Sequence, residues 1–103
     1  MAGLEKIGVR PSSRKEEKLK EPEDYRVILL NDNYTTMEFV VAVLISIFQK
    51  NEGEAKRIML DVHRKGRGTV GFYPWDIART KAEQVHAEAG RRGFPLRCVV
   101  EQA

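Results

Sequence analysis

Between Tyr25 and Phe48 the chain switches its hydrophobic period once, from that of a strand to that of a helix, and this switch limits the folds open to it. Tyr25-Arg26-Val27-Ile28-Leu29-Leu30 is dense in β-formers and runs into Asn31-Asp32-Asn33, a cluster of turn residues. Such a pattern is a strand entering a tight turn. Thr35-Thr36-Met37-Glu38 then has the Thr-x-x-Glu form of a capping box, with Thr35 accepting from the backbone at Glu38 and Glu38 reaching back. Tyr34 and Phe39 stand at the positions of a hydrophobic staple. Met37, Val40, Val41, Leu44, Ile45 and Phe48 follow at helical spacing, which predicts that stripe as the buried face.

The rest of the chain repeats these signals. Asn51-Glu52-Gly53-Glu54 pairs a cap residue with Glu at the third helical position, Ala55, Ile58, Met59 and Val62 form an apolar stripe, and Gly66 supplies a left-handed stop. Thr69 to Tyr73 reads as a short strand ended by Pro74, a residue suited to the start of a helix. Ala78, Ala82, Val85 and Ala89 give a third helix a stripe of small residues, punctuated by Gly90 and Gly93. Leu96 to Val100 alternates Leu96, Cys98 and Val100 with Arg97 and Val99, as a strand does. The order is β-α-α-β-α-β. Three strands cannot cover themselves, so the expected class is α+β, a two-layer domain with a three-stranded antiparallel sheet packed against three helices. Residues 1–22 hold few apolar side chains and a Pro-Ser-Ser break, and read as a flexible N-terminal extension; residues 23–103 read as the single folded domain.

The net charge of +3 and pI near 9.2 raise nucleic acid as a ligand. Six Lys/Arg against four Glu fall in residues 1–22, which leaves twelve basic and eleven acidic groups on the remainder. A near-neutral folded part argues against phosphate binding, and no nucleic-acid partner is expected. No apolar run reaches the roughly 18 residues of a membrane span, and charges separate Leu4, Ile7 and Val9 where a secretory signal would be apolar. No membrane partner and a cytoplasmic location are therefore the expectation. The lone Cys98 excludes an internal disulfide and any cysteine pair for a metal.

Few features carry chemistry. No Ser, Thr or Cys is flanked by a base and an orienting acid at a recognisable spacing, and Gly66-Arg67-Gly68 lacks the form of a phosphate loop. Neither His63 nor His86 has a second ligand at zinc spacing, so the reading is a non-enzyme with no cofactor and no metal. The first helix, by contrast, carries more apolar surface than its stripe needs, adding Phe39, Ala42, Val43 and Ile47. Two readings fit this surplus: the second helix covers it, or it walls a shallow pocket with Met37, Val40, Met59 and Val62. Asn31-Asp32-Asn33 likewise admits two readings. It forms the turn through side-chain bonds, or, brought near His63, its oxygens and a neutral imidazole accept the N–H bonds of an ammonium group.

Val27-Ile28-Leu29-Leu30-Asn31-Asp32-Asn33-Tyr34-Thr35-Thr36-Met37-Glu38-Phe39-Val40 resembles the ClpS signature V-x-L-x-N-D-D-Y-T-P-M-E-F-V. Met59-Leu60-Asp61-Val62-His63, Gly71, Ala78-Arg79-Thr80-Lys81 and Pro95-Leu96-Arg97-Cys98 are similar to its later segments in order and spacing. The resemblance implies an adaptor domain over residues 23–103. Such an adaptor binds substrates whose N-terminal residue is a bulky hydrophobic one (an N-degron) and delivers them to the N-terminal domain of a ClpA or ClpC type unfoldase of the Clp protease. It implies an α-amine site at Asn31, Asp32, Asn33 and His63, and a side-chain pocket at Met37, Val40, Met59, Val62 and Leu96, with Met37 as gatekeeper. Two positions depart from the pattern. Asn33 stands where the family has Asp, and Thr36 where it has Pro. These departures also suit a regulator that docks on the unfoldase without selecting N-degrons.

Overall fold

A computed structural model describes residues 24–103, and the extension expected at residues 1–22 lies outside the described residues. The elements follow the expected order: β1 (Asp24–Leu30), α1 (Met37–Ser46), α2 (Glu52–Lys65), β2 (Arg67–Pro74), α3 (Trp75–Arg92) and β3 (Arg97–Gln102). The sheet order is β2-β1-β3, with both pairings antiparallel. β1 is central because its Val27-Ile28-Leu29 run is apolar on both faces, and all three side chains are fully buried. All three helices join one core with Val27 and Leu29, which is the two-layer α+β domain the pattern predicts.

A register shift lies between Val27, paired with Gly71, and Ile28, paired with Thr69. Val70 is the extra residue of this bulge. The bulge changes face parity, so Val70 and Tyr73, three apart rather than two, both pack on the core. α2 lies close over β2 at Gly68, where an added Cβ would meet Val62 Cγ2 at 2.8 Å and the Ile58 carbonyl oxygen at 3.1 Å. Only glycine lets the helix sit this near the sheet, and that approach sets the height of Val62 and its neighbour His63.

α1 departs from the expectation in two ways. Its cap is Thr36, whose Oγ1 accepts from the Phe39 N–H at 3.1 Å, not Thr35. Its buried side chains are Phe39, Val40, Val43 and Leu44, with Phe48 buried just beyond its end, while Met37 and Ile45 are exposed and Val41 is half-buried. The expected stripe is thus rotated. Nor does the Tyr34–Phe39 staple form: Tyr34 is exposed, and Phe39 stacks on Phe94 with ring centroids 4.9 Å apart. The end of α1 is held from α3, where Lys81 Nζ donates to the Ile47 carbonyl at 2.7 Å. α2 keeps its expected ends, with Asn51 Oδ1 accepting from the Glu54 N–H at 2.8 Å and Gly66 at φ 88°.

Candidate functional site

The turn after β1 is fastened to the far end of α2. The Asn31 N–H donates to the carbonyl of Gly66 at 2.9 Å, so the left-handed glycine that stops α2 also anchors the Asn31–Asn33 turn. This bond brings the turn beside the last turn of α2, where His63 stands.

Within the turn Asp32 organises the chain. Its Oδ1 accepts from the N–H groups of Tyr34 at 2.8 Å and Thr35 at 2.7 Å, and its Oδ2 accepts from Thr35 Oγ1 at 2.7 Å. Burial pushes the Asp32 carboxyl up. The bonds from the Thr35 N–H, the Thr35 hydroxyl and the Tyr34 N–H together outweigh it and hold the group below its ordinary value. Asp32 is therefore ionised and internally engaged. Asn31, Asn33 and His63 differ from it. All three are exposed, and among the described residues their side chains make no hydrogen bond, so their acceptors face outward unspent.

These groups border a cleft of about 260 Å³ between the turn, α1 and α2. Its apolar wall is Met37, Val40, Met59 and Val62, and its polar rim is Asn31, Asp32, Asn33, Thr35 and His63. A volume below the roughly 300–1,000 Å³ of drug- and cofactor-sized sites suits a single amino-acid side chain with its amine. The surplus on α1 is thus divided. Phe39 and Val43 are buried in the core, Ile47 is half-buried and Ala42 is exposed, while Met37 of the expected stripe stands exposed at the cleft.

Of the residues that the family resemblance implies for the amine site and the pocket, all but Leu96 line this cleft; Leu96 is buried in the core just before β3. Thr35, which the capping-box pattern places at the helix cap, lines the cleft. Its signal was Asp32 three residues earlier, a partner that competes for it. Cys98 is buried, and desolvation raises its thiol to about 12, so it stays protonated and serves packing. Among the described residues no helix is long and apolar enough to cross a membrane.

Comparison with known proteins decides the family. Residues 20–99 match the family described as ATP-dependent Clp protease adaptor protein ClpS. The chain belongs to the ClpS family. An ATP-dependent Clp protease adapter protein ClpS of Syntrophus aciditrophicus is 56% identical over 87 residues, covering 84% of this chain and 81% of the relative. The ClpS of Acetivibrio thermocellus is 58% identical over 82 residues, covering 80% and 83%. Among solved structures, Agrobacterium tumefaciens ClpS2 bound to L-phenylalaninamide superposes with a TM-score of 0.78 at 40% identity, covering 81% of this chain and all of that one. These ClpS relatives are named as adaptors of a protease rather than as proteases.

Proposed function

We propose that this ClpS protein binds the free N-terminal residue of substrate proteins in the cleft and delivers them to a ClpA or ClpC type unfoldase through that partner's N-terminal domain. One observation carries the reading: unpaired acceptors on Asn31, Asn33 and His63 stand at the edge of an apolar cleft of side-chain size. A protonated α-amine offers three N–H donors, and the residue that bears it offers one side chain. Met37, Val40, Met59 and Val62 would surround that side chain, and the adaptable thioethers of the two methionines suit guests of different shape. The relative's ligand supports this reading, because L-phenylalaninamide has the free amine and side chain of an N-terminal Phe with an amide in place of the continuing chain.

Calorimetry on peptides with N-terminal Phe or Leu, free and acetylated, tests the proposal. The free peptides bind and the acetylated ones lose most of their affinity, because acetylation removes both the charge and two of the donors. Equal binding of the two forms would overturn amine recognition. The neutral Asn33 amide, standing where the family has a carboxylate, motivates the other reading, of a regulator that docks without selecting N-degrons. An absence of N-terminal selectivity with intact binding to the unfoldase is the result that would favour it.

A further inference from the structure

Two glycines stop helices in the left-handed region, Gly66 after α2 at φ 88° and Gly93 after α3 at φ 77°. A Cβ built on either would meet no atom within 4 Å. Neither glycine makes room for a neighbour, so each answers to a backbone conformation that L side chains rarely adopt. Their surroundings differ. Gly93 closes α3 by donating to the Ala89 and Gly90 carbonyls, and it does not line the cleft. Gly66 closes α2 in the same way, its N–H donating to the Val62 carbonyl at 3.0 Å, but its own carbonyl also accepts the Asn31 N–H at 2.9 Å. The pairing of β1 ends at Leu30, opposite Arg67 and Arg97, so Asn31 is the first residue beyond the sheet. The side-chain bonds of the turn close within it, at Asp32. Among the described residues the bond to Gly66 is therefore the hydrogen bond that ties the turn to α2.

We propose that Gly66 is a positioning residue of the amine site: its left-handed conformation aims its carbonyl at Asn31 and so sets the spacing between His63 on α2 and the acceptors of Asn31 and Asn33 on the turn. The inference rests on the N-terminal-residue reading of the cleft. The rim is built from two separate elements, one turn and one helix end. An ammonium group uses acceptors from both only if their spacing matches its N–H directions, because hydrogen bonds weaken steeply as they leave the line of the donor. Alanine at position 66 fits the space and is strained in the backbone. The chain relieves that strain by moving toward negative φ, which turns the residue 66 carbonyl away from Asn31. The turn then keeps Asp32 and its internal bonds, yet loses its register with His63. Asparagine visits the left-handed region far more readily than alanine, so it holds the carbonyl in place.

The test measures phenylalaninamide affinity and melting temperature for Gly66→Ala, Gly66→Asn and Gly93→Ala. The two alanine variants meet the same backbone strain in the same open space, so both melt several degrees lower and both remain folded at the assay temperature. Only Gly66→Ala loses affinity, by about five-fold, the effect of weakening one hydrogen bond to a charged group. Gly93→Ala stays within about two-fold of the unaltered chain, and Gly66→Asn recovers most of the loss. In a His63→Ala background the effect of Gly66→Ala shrinks to less than about two-fold, because the register it sets has lost one of its two sides. A purely structural glycine would give neither this coupling nor the difference from Gly93. Unchanged affinity in Gly66→Ala, an equal loss in Gly93→Ala, or an effect undiminished without His63 overturns the positioning role and leaves the cleft standing. If phenylalaninamide fails to bind the unaltered chain, the reading of the cleft falls, and the role of Gly66 with it.

Discussion

His63 and His86 both lie on helices that border the same core, and both are exposed, yet their imidazoles are in opposite circumstances. His86, on α3, accepts the Cys98 N–H at its Nε2 at 3.0 Å. That N–H belongs to β3, an edge strand, so the imidazole satisfies a backbone group that the sheet leaves unpaired. His63, on α2, makes no such bond among the described residues and stands on the rim of the cleft. The residue type is the same and the helical setting similar. What separates a structural histidine from a candidate ligand is whether the protein has already used its acceptor.

Exchanging the two histidines in turn should separate binding from stability. On the proposed function His63→Ala removes an acceptor for the ammonium, a bond to a charged group worth about 1.5–3 kcal/mol, so affinity for phenylalaninamide falls by roughly ten- to a hundredfold. Stability changes by less than about 0.5 kcal/mol, because the side chain is exposed and unpaired. His86→Leu should do the reverse. It leaves the Cys98 N–H without its partner and lowers stability by about 1 kcal/mol, while affinity is retained. His86→Gln, which keeps an acceptor, recovers part of that loss. Denaturant titration and calorimetry on the same preparations check both halves. Wild-type affinity in His63→Ala would remove the imidazole from the amine site.

Both histidines follow apolar stripes, so spacing alone cannot distinguish them, and the same limit explains other differences between pattern and structure. The order of elements along the chain, the Asn51 and Gly66 ends of α2 and the small-residue stripe of α3 were legible because each rests on local chemistry. The phase of α1 was not. A helix apolar nearly all round presents no polar face to orient it, and the buried face came to include Phe39 and Val43 rather than Met37 and Ile45. Its cap moved from Thr35 to Thr36 because Asp32 already holds both the N–H and the hydroxyl of Thr35. Leu96, which the family resemblance places in the pocket, is buried in the core and does not line the open cleft. The cleft itself was legible because its rim is concentrated in one turn and one helix end; the bond from the Asn31 N–H to the Gly66 carbonyl that joins them is backbone chemistry, on which side-chain identity is silent.

The turn repeats the contrast on a smaller scale, with Asp32 engaged and Asn31 and Asn33 unspent. Asp32→Ala removes the acceptor of three bonds at one turn and should cost about 1 kcal/mol at neutral pH, the usual effect of losing a capping side chain. The Asp32 carboxyl is held below its unfolded value, so its contribution is complete above the ordinary carboxylate range and is lost as pH falls through the lowered folded value. The stability gap between wild type and Asp32→Ala should therefore narrow in acid. A gap that is constant with pH would mean that the carboxylate charge is not what braces the turn.

Asn33→Asp has an effect no larger than these and asks most directly what the rim is for. Asn33 is exposed and unpaired among the described residues, so the exchange disturbs no bond within the fold. It replaces a neutral acceptor by a charged one beside the site assigned to an ammonium, and the difference between the two kinds of hydrogen bond is about 1 kcal/mol, or roughly five-fold in affinity. Because an amine clamp is blind to the side chain beyond it, free peptides beginning with Phe, Leu, Tyr or Trp should all tighten by the same factor and keep their order. The gain should shrink with added salt, since the new term is electrostatic at an exposed position. A change of order instead would show that Asn33 touches the guest side chain, and the polar rim and apolar wall would then have to be treated as one surface.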